Sequence, residues 1–309
     1  MDAPVPSHSE QPQGGPALQP WSTAPGMPSA EKDPSFHDTA DATAYTVTPM
    51  GTTDTRTEGA RQMWGLGDYT GLAGRLMPAS QALIAKVEPV AGRRVLDVAA
   101  GTGNAAWLAA ERGAKVTACD LSPRMVQLGR ERTGPRVEWL EANAEDLPLP
   151  AGSFDVALSA FGVIFVPRPE VALAQLRRVL VPGGVLALTA WTNDGVMARM
   201  TDALRPFFPP SPTEGPDSLS WGKEAQVRSW LSEGFTRIEV QRRTLPWHFD
   251  SPAQMTAFLK EHSPIHVALG HMAGERAGEM FATLERMVSP EGGPVRLEAE
   301  YLLVSAVAA

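Results

Sequence analysis

From Arg93 onward, short apolar runs rich in valine alternate with longer stretches whose apolar positions recur at helical spacing. This is the pattern of βαβ units that build a parallel sheet. It predicts strands over 94–99, 115–119, 137–141, 154–159 and 185–191, with helices over 104–112, 123–132 and 170–180. In the last of these helices Leu173, Leu176 and Leu180 share one face, and Pro182, Gly183 and Gly184 end it. Ahead of the first strand, Leu72, Leu76, Ala79 and Leu83 predict a helix over 72–87. The final third is less regular. Its pattern predicts helices near 197–204 and 223–231 with a proline-rich loop over 206–216 between them, then a strand over 236–245. Residues 251–287 read as largely helical, with Ser251 as N-cap, Pro252 at the first helical position, and breaks at Pro264 and Gly270. A strand over 295–307 closes the chain, and there is no internal repeat.

Residues 1–60 are rich in Pro, Gly, Ser, Thr and Gln and lack periodicity, so a disordered N-terminal tail is expected there. With 309 residues and 43% hydrophobic content, the remainder (61–309) suffices for one α/β domain, with 193–233 and 251–290 as a substrate cap. The net charge of -8 and the lack of a Lys/Arg block argue against a nucleic-acid partner. A single cysteine, Cys119, excludes an internal disulfide and a thiolate metal cluster. No apolar stretch reaches the ~18 residues of a membrane helix. Asp2, Pro4, Pro6, Ser7 and Glu10 interrupt any secretory signal, so a cytoplasmic protein without a membrane partner is expected.

The chemistry concentrates after the first strand, in Val95-Leu96-Asp97-Val98-Ala99-Ala100-Gly101-Thr102-Gly103-Asn104. Two glycines let the backbone approach a ligand closely, and the following helix offers free N–H groups. Gly101, Gly103 and Ala106 alone also satisfy the dinucleotide fingerprint, and Asp120 at the end of the second strand suits a ribose in either cofactor class. No lysine follows the glycines, which excludes the nucleoside-triphosphatase phosphate loop. Three features separate the two remaining classes. Asp97 lies just before the glycines, where it would repel a pyrophosphate and attract a cation. Ala142-Asn143-Ala144-Glu145-Asp146-Leu147-Pro148 offers an amide and a backbone N–H for an adenine edge, and Val181-Pro182-Gly183-Gly184-Val185 introduces the fifth strand.

This ordered set resembles the class I S-adenosylmethionine-dependent methyltransferases, and within them the small-molecule group with a helical cap inserted late in the chain. The resemblance runs from about Trp64 to the C-terminus. It implies a doubly wound, Rossmann-like α/β fold with a seven-stranded, mostly parallel sheet whose last strand inserts antiparallel. It also implies S-adenosyl-L-methionine as cofactor. Carried over residue by residue, Asp97, Ala99, Gly101 and Gly103 surround the methionyl portion, and Asp120 holds the ribose. Leu121 and Met125 pack on the adenine, Asn143 and Ala144 address its edge, and Ser159 and Phe161 line the floor. Tyr69 closes over the cofactor. Many relatives carry aspartate where this chain has Asn143; the amide oxygen can still accept from the adenine amino group.

The expected activity is methyl transfer to O, N or C of a small, apolar or aromatic metabolite by a monomer or homodimer. Phe165, Trp191 and Phe258 are expected to line the acceptor site, with Met255, Leu259, Ile265, Val267 and Leu269 adding an apolar cap wall. His262 and His266 are the candidates for a general base; Pro264 between them disfavours a shared metal, and none is expected. The alternatives are an NAD(P)-dependent oxidoreductase, for which the chain lacks a Tyr-x-x-x-Lys pair, and a non-catalytic S-adenosylmethionine-binding protein.

Overall fold

Residues 53–208 and 217–309 are described by a computed structural model of the chain. The expected tail lies outside the described residues up to 52, as does the part of the proline-rich loop at 209–216. Helix α1, Thr53–Trp64, begins inside the segment expected to be tail. Helix α2 follows at Tyr69–Val87 and buries Ala73, Leu76, Ala79, Leu83 and Ile84.

The sheet strands are β1 (Arg94–Val98), β2 (Lys115–Asp120), β3 (Val137–Glu141), β4 (Phe154–Ala160), β5 (Leu180–Trp191), β6 (Phe235–Phe249) and β7 (Val295–Ala308). Their spatial order is β3-β2-β1-β4-β5-β7-β6. The pairs among β1 to β5 are parallel, whereas β7 runs antiparallel to both β5 and β6. This is the expected seven-stranded doubly wound sheet. Its central strands are buried along nearly their whole length because helices cover both faces, which is why they read as continuous apolar runs. The connecting helices are α3 (Asn104–Glu111), α4 (Pro123–Thr133) and α5 (Pro169–Val179). Strand order reverses between β1 and β4, and ligands of open α/β sheets bind beside the carboxyl ends of the strands at such a switch point.

Three local readings differ from the sequence pattern. Strand β5 begins at Leu180 rather than 185, because Leu180 pairs with Phe154 and a register shift carries the chain past Pro182, Gly183 and Gly184. Strand β6 runs on to Phe249 because Trp247 pairs with Leu297 and Phe249 with Val295, with both aromatic rings buried. Gly270 lies within helix α9 (Pro264–Ala273), and the break falls instead at Gly274, whose φ is +54°. Ser251 and Pro252 do start α8 (Pro252–His262), with the Ser251 hydroxyl accepting the Gln254 N–H at 3.1 Å.

Helices α6 (Val196–Leu204) and α10 (Ala277–Val288) pack together, and α10 also packs on α8 and α9. Helix α7 (Glu224–Leu231) instead packs on β6 and α5, in the layer beside the sheet. Within 193–233, α6 is therefore the helix that joins α8–α10. No helix among the described residues is long and apolar enough to cross a membrane.

Candidate active site

The loop after β1 has an unusual backbone. Ala99, Gly101 and Gly103 have φ of +52°, +57° and +79°. A Cβ on Gly101 would lie 2.9 Å from Tyr69 Cε1, and one on Gly103 would lie 2.7 Å from Trp139 Cζ2. Both positions therefore require glycine for conformation and for space. Main-chain bonds tie this loop to its neighbours: the Ala100 N–H donates to Cys119 O and the Ala142 N–H to Asp120 O, each at 3.0 Å. The carboxyl ends of β1, β2 and β3 thus form one surface.

Two carboxylates face this loop. Asp97 is 1% exposed, and its Oδ2 accepts the Ala106 N–H at 2.8 Å. Its Oδ1 is buried with no hydrogen-bond partner among the described residues. Burial pushes the Asp97 carboxyl up to about 7; the Ala106 N–H opposes that rise and the Asp120 charge adds to it. Asp120 is 7% exposed and accepts the Gly101 N–H at 2.8 Å and the Ser122 N–H at 2.9 Å. Its carboxyl also stands above the usual range through burial, opposed by the N–H groups of Ser122, Gly101 and Leu121. The Tyr69 hydroxyl is driven upward by burial and then by the charges of Asp120 and Asp97.

A pyrophosphate at this turn would meet the Asp97 carboxylate, whereas a cation would be attracted by it; Asp120 suits a ribose in either case. The orphaned Asp97 oxygen is an acceptor that an ammonium donor can satisfy, which removes a penalty of roughly 1–3 kcal/mol for an unpaired buried group. The residues present therefore fit an S-adenosylmethionine whose methionyl end lies at the glycine turn, and Asp97 suits that cationic end better than a pyrophosphate.

The turn that presents Tyr69 is held by α8. Asp68 caps α2, accepting the Thr70 N–H at 3.0 Å, and its own N–H donates to Glu261 O at 2.8 Å. In return His262 Nδ1 bonds Asp68 O at 2.9 Å, and the His262 ring lies where a Cβ on Gly71 would be 2.6 Å away. A carbonyl only accepts, so Nδ1 carries the proton and Nε2 is the basic nitrogen of the neutral ring. His266 bonds Ser263 Oγ through Nδ1 at 2.8 Å, and burial lowers its pKa to about 4. The two histidines are thus not equivalent: His262 lies against the Tyr69 turn, and His266 lies at the start of α9.

Of the other expected residues, Ser159 Oγ donates to Val98 O at 2.8 Å and accepts the Val163 N–H at 2.9 Å, joining the ends of β1 and β4. Phe161, with φ of +59°, donates its N–H to Thr189 Oγ1 at 3.0 Å and stacks on Trp191 at 4.0 Å between ring centroids. Phe165 meets Trp64 edge-on at 4.8 Å. Phe258 lies 4.8 Å from His262 and 5.6 Å from Phe249. Met125 and Ala144 are buried. Leu121 directly follows Asp120, and the Asn143 amide oxygen accepts the Glu145 N–H at 3.0 Å, a local turn.

Arg75, Trp247 and Phe249, which the sequence pattern does not single out, gather beside these residues. Trp247 meets Trp191 edge-on at 6.4 Å and thereby extends the Phe161–Trp191 stack toward β6. The signal for Arg75 was present in its spacing: it falls three after Leu72 and four before Ala79, on the apolar face of α2.

Residues 96–188 match the family described as a methyltransferase domain. An uncharacterized protein of Mycobacterium tuberculosis is 35% identical over 254 residues, covering 80% of this chain and 93% of that one. A demethylmenaquinone methyltransferase of Clavibacter sepedonicus is 35% identical over 175 residues, covering 51% of this chain and 71% of that one. The solved structure of the YcgJ protein from Bacillus subtilis has the same fold, with a TM-score of 0.54 at 19% identity over 74% of this chain and 97% of its own. Fold, glycine turn and relatives together define an enzyme that transfers methyl groups. The chain belongs to the S-adenosylmethionine-dependent methyltransferase family, and S-adenosylmethionine is its cofactor.

Proposed function

We propose that this methyltransferase acts on O, N or C of a small organic metabolite by in-line displacement, at the switch point between β1 and β4. The observation that carries the site assignment is the unpaired, buried Asp97 Oδ1 beside Asp120 and the glycine turn. When bound, the cofactor supplies a methyl group made electrophilic by its sulfonium. Asp97, Ala99, Gly101 and Gly103 surround its cationic end, and Tyr69 covers it and excludes water. Asp120 accepts from the ribose with the lone pairs left after its main-chain N–H bonds. Leu121 and Met125 contact the adenine, Asn143 and Ala144 its edge, and Ser159 and Phe161 the floor.

Phe165, Trp191 and Phe258 line the acceptor site, and α6 with α8–α10 caps it. Holding the reacting groups in line supplies ~7 kcal/mol or more of the barrier. His262 takes the acceptor proton at Nε2 where the acceptor is a hydroxyl or an ammonium, because Nδ1 is already committed to Asp68 O. The apolar and aromatic lining supports an acceptor with a hydrophobic body. Titration of the full chain with S-adenosylmethionine, S-adenosylhomocysteine and NAD, followed by label release from methyl-labelled cofactor with a panel of small acceptors, tests this reading. Binding of NAD in preference to the other two overturns the site assignment, and label transfer only to protein or nucleic acid overturns the acceptor class.

A further inference from the structure

A cavity of about 530 Å³ opens where the end of β6, the start of β7 and α2 meet, lined among others by Arg75, His248, Phe249, Phe258 and Arg296. Arg75 lies with its guanidinium 4.0 Å from the Phe249 ring centroid, 4.6 Å from that of Phe258 and 5.8 Å from that of Trp247. Such stacking holds the fork in place and leaves its in-plane N–H donors directed outward. Among the described residues, those donors have one hydrogen bond, a long one of 3.4 Å to His248 O, and no carboxylate partner. An arginine on the apolar face of a helix, desolvated enough that burial lowers its pKa, ordinarily has an acidic mate. Asp250 also lines the cavity but is exposed, and its carboxylate takes the Gln254 amide at 3.3 Å. Arg296 adds a second positive charge to the lining.

The cavity is not remote from the cofactor turn. Tyr69 and Arg75 lie six residues apart on α2, a rise of about 9 Å. Phe161, Trp191 and Trp247 form a chain of ring contacts, and Trp247 in turn lies 5.8 Å from the Arg75 guanidinium. Nearby, the buried Trp247 indole N–H has no acceptor among the described residues. The geometry points to Arg75 as the recognition group for an organic carboxylate: the acceptor is a planar, aromatic or conjugated acid whose carboxylate meets Arg75 and whose body lies along the aromatic lining of the cavity that Phe249 and Phe258 supply. This rests on the acceptor-site reading above and specifies its substrate class. The fork geometry of Arg75 matches the two oxygens of a carboxylate, and the rings around it reject a strongly hydrated ion.

The full chain, saturated with S-adenosylhomocysteine, is titrated with naphthoate, with the neutral isostere naphthamide and with inorganic phosphate. Naphthoate is expected to bind roughly tenfold to a hundredfold tighter than naphthamide, the range of a charge-assisted hydrogen bond. Arg75→Met keeps the apolar stem and is expected to abolish that preference, while Arg75→Lys retains part of it. If Arg75→Met fails to fold, the acid-over-amide preference of the unaltered chain and of Arg75→Lys still decides. Equal affinity for acid and amide, or an undiminished preference in Arg75→Met, overturns the inference. Phosphate binding as tightly as naphthoate overturns the aromatic-acid class. Failure of S-adenosylhomocysteine itself to bind is a separate result, and it removes the cofactor-site reading underneath.

Discussion

The Gly101 N–H donates to Asp120 Oδ2 at 2.8 Å, so the acid that ends β2 and the glycine turn that follows β1 are mechanically one unit. In sequence they are 19 residues apart, and a shared role could only be expected from that spacing. The bond gives Asp120 two functions. It fixes the glycine turn, and in the proposed site it leaves lone pairs for the ribose hydroxyls.

Replacing Asp120 with alanine removes the acceptor for both the Gly101 and the Ser122 N–H groups. Affinity for S-adenosylhomocysteine is expected to fall by roughly tenfold to a hundredfold, read by isothermal titration. Asp120→Asn keeps one acceptor oxygen and belongs between the two. An Asp120→Ala protein that binds almost normally would remove Asp120 from the site.

Asp97 predicts pH dependences of opposite sign for the stability of the unliganded fold and for cofactor binding. Its carboxyl titrates at about 7 in the fold, chiefly through burial, against about 4 in an unfolded chain. Between those values the unfolded state has lost the proton and the folded state has kept it. This group's contribution to stability therefore falls as pH rises through that window, by an amount on the order of a few kcal/mol, and is constant above it. A bound cation favours the charged carboxylate, so binding releases a proton near neutrality and tightens as pH rises toward about 7. Denaturant midpoints at about pH 5 and about pH 8 should converge in Asp97→Asn relative to the parent. Titration in buffers of different ionisation enthalpy should register the proton, and zero release near neutrality would contradict the placement of the cationic end.

Gly101→Ala tests how Tyr69 covers the turn. At φ of +57° a Cβ costs about 1–2 kcal/mol, and it would also stand 2.9 Å from the Tyr69 ring. A lower melting temperature and weaker S-adenosylhomocysteine binding are expected. In a Tyr69→Ala background the steric part of the cost should disappear, leaving the backbone part. Strictly additive effects across that double-mutant cycle would mean that ring and glycine do not touch.

The parts of this molecule that were readable beforehand are those where local chemistry and global packing agree. Strand β3 has the bounds its pattern predicts, because an edge strand alternates buried and exposed positions. Strand β5 starts earlier than its pattern predicts, since turn residues such as Pro182-Gly183-Gly184 look the same whether they precede a strand or bulge within one. The proposed cofactor turn rests on two glycines and two acids that the sequence already spaces together. The proposed acceptor side does not show in the same way, because Arg75, Trp247 and Phe249 converge from elements more than a hundred residues apart along the chain. Only tertiary structure shows that an arginine in an apolar helix face lacks an acidic mate.

His262 and His266 were indistinguishable as candidate bases by sequence, and the fold separates them. His266 at about 4 stays neutral across the working range but is too weak a base to assist near neutrality, since the best catalytic pKa lies near the operating pH. His262 has Nδ1 anchored on Asp68 O, and its Nε2, 3.8 Å from a Glu261 carboxylate oxygen, holds the lone pair of the neutral ring. With an acceptor that requires deprotonation, His262→Asn is expected to lower turnover by about a hundredfold or more. The asparagine amide can still donate to Asp68 O, so cofactor affinity should change far less than turnover. His266→Gln should cost stability and leave the turnover profile nearly intact. If His266→Gln carries the larger loss in turnover, and the acidic limb of the pH–rate profile moves with it, the assignment of the base passes from α8 to α9.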